Sequence, residues 1–218
     1  MKINLSNIKK AKKLLNISEC VAIPTETVYG LAGNAYSDKA CKKIFKLKKR
    51  PKNNPLIVHY YNIHSLRNDC QLSKKFFKLY KKFCPGPITF ILNIKKNSNI
   101  SKFVTNKKKT LAVRFPKHIV MRKLLKNLNY PLAAPSANLS SRVSAVCSAD
   151  VREDFGKRIK YVLEGGRSSI GVESTIIDLT KKPKILRLGG LEIHKIEKII
   201  NEKIKLKINA KKIFSHGQ

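Results

Sequence analysis

Apolar residues in this chain come in short runs, and none is longer than a β-strand needs. The strongest, 88–94, is interrupted by Thr89 and Asn93, far short of the ~18 residues that a membrane-spanning helix requires. Runs at 20–23, 56–60, 88–94, 110–116, 131–137, 161–163, 173–179 and 185–188 therefore read as strands. Between them, 6–17, 73–83, 117–128, 147–156 and 192–203 read as helices, the first two with apolar residues at helical spacing and lysines on the remaining positions. A further helix opens at Asp38, with Cys41, Ile44, Phe45 and Lys48 on its inner face, and Ser6 is the expected cap of the first. Strands alternating with amphipathic helices specify an α/β domain. With 218 residues, 42% of them hydrophobic, there is enough apolar surface for one large core. The lysine-rich stretch 95–109 reads as a mobile loop.

The strand ends are more informative than the strands. The first strand stops at Pro24 and runs into Thr25-Glu26-Thr27-Val28-Tyr29-Gly30, where glycine allows a turn or a close approach. The helix that opens at Asp38 runs out through Lys48-Lys49-Arg50-Pro51 into the strand that carries His59. Lys48 and Arg50 are good phosphate donors, although a solvated basic loop would look the same. His59 reads equally as a hydrogen-bonded core residue or as a ligand contact. Arg114 stands on an apolar strand face, so it needs an anion, which either a carboxylate of this chain or a ligand could supply. Pro135-Ser136-Ala137-Asn138 lets backbone N–H groups approach an anion. Ser144 lies on the next loop, and Arg187 precedes a glycine pair. This inventory binds and orients anions, and no residue in it stands out as a nucleophile.

The net charge of +34, from 47 Lys and Arg against 13 Asp and Glu, attracts polyanions. It is nearly all lysine and comes with abundant asparagine and isoleucine, as an AT-rich coding sequence would give. The lysines sit everywhere rather than on one element, which favours compositional bias over a dedicated nucleic-acid surface. Five scattered cysteines without a Cys-x-x-Cys pair read as reduced, mostly buried thiols, and no metal ligands are expected from them. With no apolar leader after Met1, the expected location is the cytoplasm, with no membrane partner.

Seven segments occur in the order PTETVYGLAGNA, KKRPKNNPLIVH, CPGPITFIL, TLAVRFPKH, PLAAPSANLS, GVESTIIDLT and ILRLGG, over about residues 10–190. Together they resemble the threonylcarbamoyl-AMP synthases, the YrdC-like family. The resemblance implies a twisted, open, mixed β-sheet flanked by helices, with a large basic concave cavity. It also implies synthesis of threonylcarbamoyl-AMP and pyrophosphate from L-threonine, bicarbonate and ATP, with Mg2+ on the ATP phosphates and no tightly bound organic cofactor. The product would serve a downstream threonylcarbamoyl-transferase complex that modifies the adenosine beside the anticodon of tRNA.

Carried over by position, Thr27, His59, Thr110, Arg114 and Ser174 would bind threonine. Lys48, Arg50, Asn54, Ala134, Ser136, Asn138, Ser144 and Arg187 would bind ATP, with Lys48 and Arg50 in catalytic roles. Lys49 replaces the usual glycine of Lys-Gly-Arg-Pro, Ser141 that of Ser-Gly, Cys84 a tryptophan and Leu188 a proline. The expected domain spans 1–205, and 206–218 would be a lysine-rich tail or the start of a linker. Two other readings remain: a tRNA- or dsRNA-binding module without catalysis, and a carbamoyl-transfer enzyme. Cysteine spacing leaves no room for the zinc-finger regions of the latter.

Overall fold

The computed structural model describes residues 4–51 and 53–206. The chain runs α1 (Leu5–Asn16), β1 (Val21–Ile23), β2 (Gly30–Asn34), α2 (Asp38–Lys48), β3 (Ile57–His59), α3 (Ile63–Asp69), α4 (Lys74–Phe83), β4 (Ile88–Asn93) and α5 (Lys102–Thr105). It continues through β5 (Thr110–Arg114), α6 (Ile119–Lys126), β6 (Leu132–Ala133), α7 (Ser148–Phe155), β7 (Thr175–Asp178), β8 (Lys184–Arg187), α8 (Ile193–Ile200) and β9 (Lys205–Leu206). The strands form one mixed sheet in the order β1-β2-β6-β3-β5-β4-β7-β8-β9.

Register decides what each face of this sheet carries, because residues directly opposite one another share a face. Val58, Val113, Phe90, Ile177 and Ile185 face each other in turn and are all fully buried. They join Phe76 and Leu79 of α4 and Ile196 and Ile200 of α8 in the larger apolar cluster. The opposite face carries the row His59, Arg114, Thr89, Ile176, Arg187. Leu132, paired with His59, belongs to a second cluster with Ile8, Ala11 and Leu15 of α1 and Val120, Met121 and Leu124 of α6. Helices α1 and α6 thus cover this face only over its β1-β2-β6 half, and the polar row lies on the half that they leave.

Several expectations need correction. The cap of α1 is Asn4, whose side chain accepts from the Ser6 and Asn7 amides; a cap must precede the first helical turn, and Ser6 lies inside it. Of the two roles open to Gly30, the turn is not the one taken: it begins β2 and makes the close approach, where an added Cβ would stand 3.3 Å from that of Ala134. Strand β2 carries no local signal, because Gly30-Leu31-Ala32-Gly33-Asn34 has neither alternation nor β-branched residues. The stretch 95–109 is anchored rather than loose: Val104 of α5 is fully buried, and its carbonyl accepts from the Leu56 amide at 2.9 Å. Helix α3 is an addition to the elements expected from periodicity. The run 161–163 is no strand, since only Val162 bridges to Ala22. The last helix stops at Ile200, capped by Asn201 in the left-handed region, and β9 then adds to the sheet edge across the expected 205/206 boundary. The remainder of the tail, 207–218, lies outside the described residues.

The two lost glycines prove to be backbone positions. Lys49 has φ 49° and Ser141 φ 73°, both in the left-handed region, where a β-carbon costs about 1–2 kcal/mol. Lys49 ends α2 there, its amide bonding back to the Lys46 and Phe45 carbonyls. Lys49→Gly is therefore expected to stabilise the fold by about 1 kcal/mol, read as a higher urea midpoint. An unchanged or lower midpoint would mean that the lysine side chain offsets its backbone cost.

Candidate active site

The site begins at the end of β1. The Thr25 hydroxyl donates to the Val28 carbonyl at 2.6 Å and contacts the Thr27 hydroxyl at 2.9 Å, closing a tight hydroxyl-bonded turn. Segment 168–171 runs alongside: Ser168 Oγ donates to the Thr25 carbonyl, and the Ile170 and Gly171 amides donate to the Glu26 and Thr27 carbonyls. Buried Glu26 and Thr27 are thereby aimed at the end of β5.

There they meet Arg114. Its Nη2 donates to Glu26 Oε1 and its Nη1 to Thr27 Oγ1, both at 2.7 Å. Glu26 Oε2 also accepts from the Lys117 amide at 2.9 Å. The anion that Arg114 requires thus comes from this chain, and Glu26 is a site residue that the strand-end inventory does not assign. A signal for it exists: acids are scarce here, and this one stands inside a hydroxyl-rich strand end. Arg114 Nε and His59 Nδ1 are buried without a hydrogen-bond partner among the described residues, and the two residues are neighbours across β3 and β5. Burial, with the Arg114 charge beside it, pushes the His59 imidazole down to about 3, so the ring is neutral at physiological pH.

The row continues through Thr89, whose hydroxyl lies 2.7 Å from that of Ser174. Arg187 donates from Nη2 to Ser174 Oγ at 3.1 Å, from Nε to the Ser174 carbonyl at 3.0 Å, and from Nη1 to Glu173. Ser144 Oγ donates to Glu173 Oε1 at 3.3 Å. Thr89 and Glu173 are further site residues that local sequence pattern does not single out.

The third part comes from the end of α2. Lys48 is 1% exposed, and its ammonium donates to the Ser136 carbonyl at 2.5 Å, to the Asn138 carbonyl, and to Asn138 Oδ1 at 3.4 Å. Burial, then the charge of Arg50, pushes it down to about 7. Its backbone carbonyl accepts from the Ser140 amide at 3.0 Å, so one lysine grips the 136–140 segment twice. Arg50 donates to the Asn54 and Pro55 carbonyls at 3.2 Å, and the charges of Glu173 and Arg187 reach it. Ala134 is buried, with its amide on the Ile57 carbonyl.

The structure thus brings Thr27, His59, Arg114 and Ser174 together on one face, and links Lys48, Arg50, Asn54, Ser136, Asn138, Ser144 and Arg187 to its β7–β8 side. Thr110 is not placed with the Arg114 group. It lies four residues back along the same strand, roughly 13 Å away, farther than a threonine molecule spans. Among the described residues no cluster of His, Cys, Asp or Glu could hold a metal, and both site carboxylates are engaged by arginines. All five cysteines are free thiols, and among the described residues no helix is long and apolar enough to cross a membrane.

Comparison with known proteins agrees with this fold. The Sua5/YciO/YrdC family profile, described as "Telomere recombination", matches residues 13–189. The threonylcarbamoyl-AMP synthase of Pyrococcus abyssi is 42% identical over 197 residues, which is 89% of this chain and 57% of that protein. The threonylcarbamoyl-AMP synthase of Bacillus subtilis is 41% identical over 199 residues, 90% and 57% of the two chains. The crystal structure of P. abyssi Sua5 complexed with L-threonine superposes with a TM-score of 0.91 at 40% identity, covering 94% of this chain and 60% of that one. The chain spans little more than half the length of these relatives. With the profile covering most of its residues and both relatives matching it almost from end to end, the chain belongs to the Sua5/YciO/YrdC family.

Proposed function

We propose that this chain is an L-threonylcarbamoyladenylate synthase, a nucleotidyltransferase that makes threonylcarbamoyl-AMP and pyrophosphate from L-threonine, bicarbonate and ATP. The observation that carries this reading is that Arg114 Nε and His59 Nδ1, on residues paired across β3 and β5, are both buried without hydrogen-bond partners among the described residues. Buried polar atoms in a native fold are otherwise paired. A guanidinium donor beside a neutral imidazole suits the carboxylate and amine of an amino acid. The threonine named in the P. abyssi complex is that kind of ligand.

The threonine amine first condenses with bicarbonate: the N–C bond forms, a C–O bond of bicarbonate breaks, and water leaves, giving N-carboxy-threonine. Its carbamate oxygen then attacks the α-phosphorus of ATP, the bond from that phosphorus to the bridging oxygen breaks, and pyrophosphate leaves with the electron pair. No protein nucleophile is needed, and the chemistry asks for positioning and for neutralisation of charge. Arg114, held by Glu26 and Thr27, fixes the amino acid, and the Ser174 hydroxyl orients it. Arg50 and Arg187 meet the phosphates, and the backbone of 136–138, shaped by Lys48, forms the opposite side. Mg2+ would be carried by the ATP phosphates, neutralising their charge, with no side chain of this chain assigned to hold it. The product would pass to a downstream transferase complex acting on tRNA, in the cytoplasm.

Incubation with ATP, threonine and labelled bicarbonate should release pyrophosphate only when threonine is present. Equal release without threonine would refute the reading. Salt-sensitive tRNA binding with no small-ligand binding would point instead to an RNA-binding module.

A further inference from the structure

One carboxylate in this site is not accounted for by the reaction. Glu173 sits among the groups assigned above to the phosphates. Arg187 donates to it, Ser144 donates to it at 3.3 Å, and its charge is felt at Arg50 and Lys48. The other acid of the site, Glu26, is fully committed to Arg114 and the Lys117 amide.

The placement of Glu173 is built in. Its carbonyl accepts from the Gly190 amide at 2.9 Å. A Cβ on Gly189 would come within 2.2 Å of the same carbonyl oxygen, so only glycine lets the turn after β8 close over this residue. The carboxylate therefore starts from a fixed root and ends between Arg187 and Ser144. A planar two-oxygen anion between a guanidinium and a hydroxyl makes the hydrogen bonds that one face of a phosphate would make.

We propose that Glu173 is an internal competitor for the polyphosphate subsite, a carboxylate that Arg187 and Ser144 must release before a phosphate can take its place. It lowers the site's affinity for pyrophosphate, so the leaving group does not remain after adenylyl transfer. This rests on the nucleotide reading given above. The alternative role, a carboxylate that merely orients Arg187 toward ligand, makes the opposite prediction.

The test uses the full chain, with Glu173→Gln and Glu173→Ala, titrated calorimetrically with sodium pyrophosphate under chelation of divalent metal, and separately with adenosine. Glu173→Gln removes the charge but keeps an acceptor for Arg187, and the part-exposed position makes folding of both variants straightforward to verify by thermal melting. Both variants should bind pyrophosphate at least about tenfold more tightly than the wild type, with adenosine affinity unchanged. Equal or weaker pyrophosphate binding in both variants would overturn the proposal and leave Glu173 as an orienting group. If the wild type binds adenosine but the variants gain nothing for pyrophosphate, only the competitor role fails. If neither the wild type nor the variants bind pyrophosphate or adenosine, the nucleotide reading falls and the competitor role falls with it.

Discussion

Arg114→Ala is expected to lose about 3–5 kcal/mol of folding stability, lowering Tm by roughly 6–20 °C. The side chains of Arg114 and Glu26 are 5% and 7% exposed. Truncating the arginine strands a buried carboxylate and leaves the Thr27 hydroxyl without its donor. Solvent cannot reach in to replace what is lost, so the cost falls on the fold before it falls on catalysis. The double variant Glu26→Gln with Arg114→Met removes both charges and should recover most of the loss, because buried pairs stabilise little relative to apolar packing. Coincident melting curves for the wild type and Arg114→Ala would show that this pair is not buried in solution. Arg114→Lys separates function from folding: it keeps a charge but loses the planar fork. We expect its KM for threonine to rise more than about tenfold while that for ATP stays within about twofold. The reverse ranking would mean that the two halves of the site are exchanged.

The second large effect concerns Lys48 and pH. The folded ammonium titrates at about 7, against an ordinary value of 10.5. Between these values the unfolded chain holds a proton that the folded one has released. Stability contributed at this residue therefore rises as pH climbs from about 7 toward 10.5, by at most about 1.4 kcal/mol per pH unit. Below pH 7 both states are protonated, and the full cost of burying the charge is present. Lys48→Met should remove this slope, so the difference in unfolding free energy between wild type and variant ought to change steadily from pH 7 to pH 10 in urea titrations. Parallel profiles would mean that the ammonium keeps its proton, held by the Ser136 and Asn138 carbonyls.

Much of the site's membership is legible in the chain because it is written at strand ends. PTETVYG and PSAN place hydroxyls and amides where a buried strand stops, KKRP places cations between α2 and β3, and GVEST places hydroxyls where β7 begins. Glu26 and Glu173 stand in those same segments, yet nothing local marks either acid as the partner of a distant arginine. Thr110 and Arg114 share one strand face by alternation. Alternation fixes the face but says nothing of the roughly 13 Å between the two along the strand.

Local periodicity alone determined that this is an α/β chain, where most helices lie, and which strand ends carry polar chemistry, since those signals run between residues at most four apart. Tertiary structure alone decided the partners. Arg114 finds Glu26 across 88 positions, and Lys48 reaches the Ser136 carbonyl across 88 more. Only the insertion of β5 between β3 and β4 sets His59 and Thr89 on either side of that arginine. A pattern that repeats every two or four residues can state which face a side chain takes; which strand lies next to it is settled by the packing of the whole sheet.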